Sequence, residues 1–332
     1  MKQFDIYGMG SALVDIEILV SDETLERLGL EKGCMTLVEE AELKKLLDYF
    51  ESEDKKLACG GSAANTIITA AQLGSRTYFS SRVSNDEVGL FYLEDIERNR
   101  VTTNLSDLAA PNAITGQCLV MVTPDAQRTM VTYLGVSSGF SEGDLNNAAI
   151  KDSEYLYIEG YLSASPSALN AVLQARHHAP SSVKVVLTLS DPNIVTYCKE
   201  ALDSIIGDGV DLLFCNEEEV LRFFDTQNIE IALDGLKRIS KTFAVTRGAS
   251  GAVIYDGSQF LKIPAFSVSV KDTTGAGDSF AGAFLYALSK GHGFELAGKC
   301  ANYAASQVVS QFGPRLTGDC LQRVLDYRKI SV

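Results

Sequence analysis

The sequence predicts an α/β protein: a mostly parallel central sheet with helices on both faces, accompanied by a small second sheet. Two observations carry that expectation. Short apolar runs alternate with amphipathic stretches along most of the chain, the rhythm of buried strands joined by crossover helices. Four further apolar runs, in the N-terminal half, break that rhythm and fit better in a sheet of their own.

In chain order, the central strands are expected at 4–10, 78–83, 155–158, 184–189, 211–215 and 243–246, each a short apolar run. Helices are expected at 62–73, 87–99, 167–178, 193–206, 217–224, 230–240, 278–290 and 294–310, where apolar positions follow the helical period. Gly74 closes the first of them. The strands outside the rhythm are 13–20, 33–38, 115–123 and 128–134, the last two joined by the hairpin-like Pro124-Asp125-Ala126-Gln127. No linker, repeat or low-complexity tract sets them apart. One domain over 1–332 is therefore expected, with a discontinuous subdomain at about 12–38 and 113–135.

At 332 residues and 46% apolar composition, the chain can bury a large core and is not a disordered protein. No apolar run reaches the roughly 18 residues that span a bilayer, and Met1-Lys2-Gln3-Phe4-Asp5 lacks a secretory apolar stretch. A cytoplasmic protein without a membrane partner is expected. The seven cysteines, at 34, 59, 118, 198, 215, 300 and 320, are scattered with no Cys-x-x-Cys pair and read as reduced small residues. Lys and Arg number 29 against 43 Asp and Glu, a formal charge of −14 with no basic cluster, which argues against nucleic acid as a partner. His177, His178 and His292 have no metal-ligand spacing and read as surface residues.

Two glycine-rich turns carry the chemistry. In Asp272-Thr273-Thr274-Gly275-Ala276-Gly277-Asp278, the glycines let consecutive N–H groups converge on one anion at a helix N-terminus. Asp278 inside that turn would weaken anion binding unless it had another task, such as taking a proton from a hydroxyl being phosphorylated. An ordinary glycine-rich loop capping a helix is the plain alternative. The second turn, Cys59-Gly60-Gly61-Ser62-Ala63-Ala64-Asn65, allows close approach to the main chain, and the Asn65 amide offers both donor and acceptor to a polyhydroxyl ligand. By itself it reads equally as a tight strand-to-helix connection.

With both turns in view, the chain resembles the PfkB, or ribokinase-like, family of carbohydrate and nucleoside kinases. GGSAANT is similar to the family's N-terminal signature and DTTGAGDSFAGAF to its C-terminal one. Further similarity lies in Gly8-Met9-Gly10-Ser11-Ala12-Leu13-Val14-Asp15, Asn216-Glu217-Glu218-Glu219, Thr246-Arg247-Gly248-Ala249-Ser250-Gly251 and Ala301-Asn302-Tyr303-Ala304-Ala305-Ser306. The resemblance implies a three-layer α/β/α fold in which the small sheet is a lid over the acceptor. It implies ATP as donor, Mg²⁺, and K⁺ as a further ion.

Residue by residue, the resemblance makes Asp278 the general base and the amides of Gly275, Ala276 and Gly277 the stabilisers of the transferred phosphoryl group. Asp15 matches a carboxylate that binds two neighbouring hydroxyls, with Ser11, Gly60, Gly61 and Asn65 beside it; a solvated lid charge is the other reading. Arg128 matches an arginine that reaches toward the phosphates on lid closure, and an exposed hairpin arginine is the alternative. Asn216 and Glu219 match an element associated with Mg²⁺ and phosphate through water, although Glu217–Glu219 also reads as an acidic first turn favoured by the helix dipole. Thr246, Gly248 and Gly251 would border the nucleotide, and Asn302 would lie near adenine. Asp272, with the Thr274 carbonyl, matches a monovalent-cation region. No Gly-x-x-x-x-Gly-Lys-Ser/Thr occurs, so a P-loop is excluded.

The segments GMGSALVDI, LEKGCMTLVEE and NAITGQCLV resemble adenosine kinases more than fructokinases, while Ser11 and Met35 depart from that pattern. The expected acceptor is therefore a nucleoside phosphorylated at its primary 5′-type hydroxyl, with Tyr161 and Leu162 as an apolar platform or as core. A free sugar such as ribose or fructose is the alternative. A nicotinamide oxidoreductase is disfavoured because the third glycine of its fingerprint falls at Leu13. A kinase-derived binding protein is disfavoured by the retained Asp278. Monomer and homodimer both remain open.

Overall fold

The computed structural model describes residues 2–105, 113–125 and 127–331, the last three of these by their backbone alone. Ala126 of the expected hairpin turn lies outside the described residues. The strands of the first half are β1 (Phe4–Met9), β2 (Leu13–Leu19), β3 (Met35–Leu37), β4 (Lys56–Gly60), β5 (Thr77–Ser80), β6 (Thr102–Thr103), β7 (Gly116–Val122) and β8 (Arg128–Tyr133). Those of the second half are β9 (Ser153–Glu159), β10 (Lys184–Thr188), β11 (Val210–Asn216), β12 (Ser240–Thr246), β13 (Ala252–Tyr255) and β14 (Phe260–Ile263).

Between them run α1 (Asp22–Leu28), α2 (Glu40–Tyr49), α3 (Ser62–Leu73), α4 (Glu87–Arg98), α5 (Asn147–Lys151), α6 (Pro166–His178) and α7 (Pro192–Tyr197). The remaining helices are α8 (Lys199–Ile206), α9 (Glu217–Phe223), α10 (Ile229–Ile239), α11 (Ala276–Ser289), α12 (Phe294–Val309) and α13 (Gly318–Ser331).

Nine strands form the large sheet in the order β14-β13-β12-β11-β10-β9-β1-β5-β6, parallel except at β12-β13-β14. Every residue of β1 is buried, as befits a strand covered on both faces. Ile6, Phe79, Tyr157, Val186 and Phe214 pack into one core with α3, α11 and α12, whereas Tyr7, Leu156, Leu187, Leu213 and Val245 pack into the other with α6, α8, α9 and α10. From β1 the chain moves outward to β5 and β6, then returns to β9 on the other side of β1. That reversal opens a crevice at the carboxyl ends of β1 and β9, where ligands of open α/β sheets bind.

The second sheet has the order β3-β8-β7-β2-β4. One face carries Ile16, Ile18, Leu119, Met121 and Val131, which pack on Leu25 of α1, Leu43 of α2 and Phe50. The register sets Asp15, Cys118, Thr132 and Leu37 in one row of the other face and Glu17, Val120, Met130 and Met35 in the next. Arg128, on that same face, pairs with Asp272 of the main body. The uncovered face is thereby turned toward the large sheet.

Several elements depart from expectation. The helix expected at 193–206 breaks at Cys198, whose φ of −119° and ψ of 24° leave the helical region, because helical periodicity does not report a change of axis. Strand β4 is absent from the sequence reading: its residues run straight into Gly60-Gly61 and look like part of that turn. Hence the Gly60 turn ends a strand of the small sheet, not of the central one. Helices α1 and α2 were also not foreseen; each buries a single residue completely, Leu25 and Leu43, so neither shows a wide apolar stripe. Nor were α5, α13, β6 or the antiparallel pair β13-β14.

In the α11 core, Phe280 and Phe284 stack at 5.8 Å and Phe214 stands edge-on to both. Phe284→Ala is expected to lower the unfolding free energy by about 3–5 kcal/mol, read from urea denaturation.

Candidate active site

The turn before α11 is shaped by one glycine. Gly275 has φ 74°, and a Cβ there would overlap the Pro314 carbonyl. Gly277 differs: a Cβ built on it meets nothing within 4 Å, and its residue is exposed. The Gly275 carbonyl accepts the Ser279 N–H at 2.8 Å, and the Ala276 N–H is directed to the Thr273 carbonyl at 3.3 Å. The turn therefore offers an open helix N-terminus at Gly277, where the first N–H groups of a helix lack intrahelical acceptors.

Asp278 projects from this first turn into a built network. Ser62 Oγ donates to its Oδ1 at 2.6 Å and Asn65 Nδ2 to its Oδ2 at 2.9 Å. Burial pushes the carboxyl up to about 6, opposed by those two hydrogen bonds and by the Arg315 charge. A carboxylate so poised accepts a proton at neutral pH more readily than an exposed one.

Across the crevice, Asp15 of β2 lies against Gly60, where a Cβ would fall 2.7 Å from both carboxylate oxygens. Burial raises Asp15 to about 7, with Arg315 the leading charge that opposes it. Glu159, at the end of β9 and 1% exposed, accepts the Ser11 N–H at 2.6 Å and the Ala63 N–H at 2.8 Å. Burial raises it also to about 7, against the pull of those amides. Gly10 is required here because a Cβ would overlap the Glu159 carboxylate, and Gly61, at φ 94°, because one would overlap the Ser11 carbonyl.

On the far side of α11 lies a cleft of about 480 Å³ lined by Thr246, Gly248, Gly251, Phe266, Gly277 and Asn302. Asn302 Nδ2 donates to the Ile263 and Pro264 carbonyls at 3.1 and 3.0 Å, so it shapes the wall through backbone contacts. A second cleft, of about 660 Å³, shares Thr246 and Gly248 and reaches Asn216. Asn216 caps α9: its Oδ1 accepts the Glu219 N–H at 2.8 Å, and both Glu219 oxygens accept from Asn216, at 2.8 and 3.0 Å. Burial raises Glu219 to about 7.

The structure thus gathers Ser11, Asp15, Gly60, Gly61, Asn65 and Asp278 at one end of the crevice, with Thr246, Gly248, Gly251 and Asn302 around the adjoining cleft. Arg128 is paired with Glu17 at 2.9 Å and with Asp272. Asp272 also accepts the Thr274 N–H at 2.9 Å and the Gly313 N–H at 2.8 Å. Leu162 is core, 2% exposed, and Tyr161 is half-buried. Sequence reasoning missed Ser62, Glu159, Arg315 and Asp95, the carboxylate that pairs with Arg315. Ser62 was within reach, since it sits inside the quoted turn; the other three have no local signal.

The fold and site belong to a phosphotransferase class, and comparison with known proteins agrees. Residues 48–319 match the pfkB family carbohydrate kinase model, and the chain belongs to that family. It is a kinase. A probable sugar kinase protein from Rhizobium etli CFN 42 is 31% identical, with a TM-score of 0.92 over 100% of both chains. The adenosine kinase from Sinorhizobium meliloti is also 31% identical, with a TM-score of 0.91 over 98% of this chain and 99% of that one. An adenosine kinase of Schizosaccharomyces pombe is 24% identical over 95% of this chain and 97% of its own.

The two glycines of the turn are expected to separate experimentally. Gly275→Ala should reduce stability, because both φ and the Pro314 contact forbid a side chain. Gly277→Val should keep a thermal midpoint near that of the parent yet lose roughly 10²-fold or more in kcat/KM, since only an incoming anion meets the new side chain.

Proposed function

We propose that this kinase uses ATP to phosphorylate the primary 5′-type hydroxyl of a nucleoside such as adenosine, with Asp278 as general base. The observation that carries the reading is Asp278 itself, raised by burial and held by two donors at the mouth of an open helix N-terminus. As the acceptor oxygen bonds to the γ-phosphorus, its proton passes to Asp278 and the bond to the β–γ bridging oxygen breaks, releasing ADP. The amide end of α11, at Gly277, meets the charge that spreads over the transferred group.

Asp15 is an acceptor-only group when ionised, which suits a pair of neighbouring hydroxyls as donors. The inner face of the small sheet, which bears Asp15, carries Val120 and Met130 on its middle strands and Met35 and Leu37 on the edge strand β3, with Leu37 55% exposed. Those apolar side chains favour a nucleoside over a free sugar, because a base has a face to bury. The likeness to a probable sugar kinase keeps ribose or fructose as the second reading.

Mg²⁺ would enter with the triphosphate. Among the described residues no group of three or more His, Cys, Asp or Glu is arranged to hold a metal, and the Glu219 oxygens are engaged by Asn216. Asn216 and Glu219 therefore suit contact through the ion's water shell. A monovalent cation at Asp272 fits less well, since that carboxylate already meets the Arg128 guanidinium and two backbone N–H groups.

Asp278→Asn is expected to lower kcat by roughly 10²–10⁴-fold with little change in ATP affinity. In the parent enzyme, kcat/KM should fall as pH drops through about 6 to 7, where Asp278 and Asp15 gain protons. Turnover that persists in Asp278→Asn would remove that carboxylate from the mechanism.

The acceptor is checked by ADP release with a panel of nucleosides and free sugars. Relative to adenosine, 2′-deoxyadenosine and 3′-deoxyadenosine should each lose about tenfold or more in kcat/KM, and Asp15→Ala should erase most of that discrimination. A higher kcat/KM for ribose or fructose than for adenosine, inosine and guanosine would select the sugar-kinase reading.

A further inference from the structure

Arg315 lies in the loop between α12 and α13, and it is only 9% exposed. Its Nε donates to Asn65 Oδ1 at 2.8 Å, and its Nη1 pairs with the Asp95 carboxylate of α4. Its Nη2 is buried with no hydrogen-bond partner among the described residues. As a stabilising device this is poor. Desolvation of the two charges offsets their attraction, and the orphaned donor adds a further cost.

What the geometry does instead is orient an amide. Arginine carries donors only, so the Asn65 atom that meets Nε has to be the oxygen. With Oδ1 held there, Nδ2 is turned to Asp278 Oδ2, at 2.9 Å. The flipped amide would set donor against donor at Arg315 and acceptor against acceptor at Asp278. From this we infer that Arg315 is a positioning residue of the reaction: anchored on Asp95, it locks Asn65 so that a donor meets the oxygen of the base. The inference rests on the proposed role of Asp278.

The groups that surround Asp278 make the device consequential. Asp15 faces it from β2, Tyr157 and Glu159 from β9, Tyr161 from the turn that follows, and Glu219 from α9. Asp15, Glu159 and Glu219, when ionised, are anions that disfavour a charged Asp278, whereas burial raises both tyrosine hydroxyls and keeps them neutral where Asp278 titrates. Ser62 and Asn65 of α3 supply neutral donors, and Arg315 supplies the positive charge that opposes protonation. Loss of Arg315 therefore removes a charge and frees the amide together, and both changes act in the same direction.

The test uses the full-length enzyme with Arg315→Met, Arg315→Lys, Asn65→Leu and the double variants. The first readout is the ¹³C-carboxyl titration of Asp278 without nucleotide or acceptor, which is independent of what the enzyme phosphorylates. Arg315→Met should raise the titration midpoint by about one unit or more, and the acid limb of kcat should move with it while KM for ATP stays within about twofold. Arg315→Lys, which keeps the charge, should move it less. The shift of the double variant should be smaller than the sum of those from Arg315→Met and Asn65→Leu, because the part of the Arg315 effect that runs through the amide is already lost in Asn65→Leu. An unmoved midpoint in a folded Arg315→Met, with rate lost equally at every pH, would overturn the inference, as would additive shifts. If Arg315→Met does not fold, Arg315→Lys with Asn65→Leu completes the same cycle. Full turnover in Asp278→Asn would instead sink the base assignment, and the carboxyl titration would still report on the Arg315 link.

Discussion

One buried carboxylate organises the site. Glu159 ends β9 and accepts the amides of Ser11, just past β1, and of Ala63, in the first turn of α3. The topological reversal sets the end of β9 beside the end of β1, and neither Ser11 nor Ala63 has a partner for its N–H group within its own element. Buried amides without acceptors are costly, so the glycine-rich turns are held by Glu159 in the one arrangement that satisfies them. Gly10 and Gly61 have no side chain because the Glu159 carboxylate and the Ser11 carbonyl occupy that space.

From that clamp the rest of the site follows by geometry. With Ala63 fixed, Ser62 and Asn65 on the same helix come within hydrogen-bond reach of Asp278, and the opposite side of the crevice receives Asp15 against the bare backbone of Gly60. Asp15, Glu159, Glu219 and Asp278 all have carboxyls raised by burial. Asp15, Glu159 and Glu219 each couple to Asp278, so the four titrations are linked and belong to the group. On the proposed function, Mg²⁺ carried by the nucleotide would relieve that repulsion, and a protein of formal charge −14 would need helix N-termini and buried arginines to receive a polyanion.

The small sheet is tied into the same economy of charge. Its outer face is closed by α1 and α2, and its inner face bears Asp15 together with Val120, Met130, Met35 and Leu37. Arg128 crosses from that face to Asp272 in the turn that leads to α11. Any movement of the sheet away from the body breaks this pair and leaves Asp272 with two backbone donors only. The inner face of the small sheet and the turn before α11 are thus linked through one guanidinium.

Much of this was legible in the chain. Strands buried on both faces announce themselves as short, mostly apolar runs, so β1, β9, β10, β11 and β12 were expected close to where they occur. The two glycine-rich turns marked out the candidate site, because close backbone approach and φ > 0 demand a specific residue type. Elements with weak or interrupted patterns were not legible. Strand β4 merges into a turn, α1 and α2 each bury one residue completely, and the break at Cys198 changes an axis without changing a period. Glu159, Asp95 and Arg315 belong to the same category for another reason. Each is one charged residue among many, and nothing local distinguishes a buried charge from a solvated one. Residue type alone says which side chains can bind an anion or take a proton. Which buried charges meet them is set by the folded chain, because burial and pairing join segments as distant as Asn65 and Arg315.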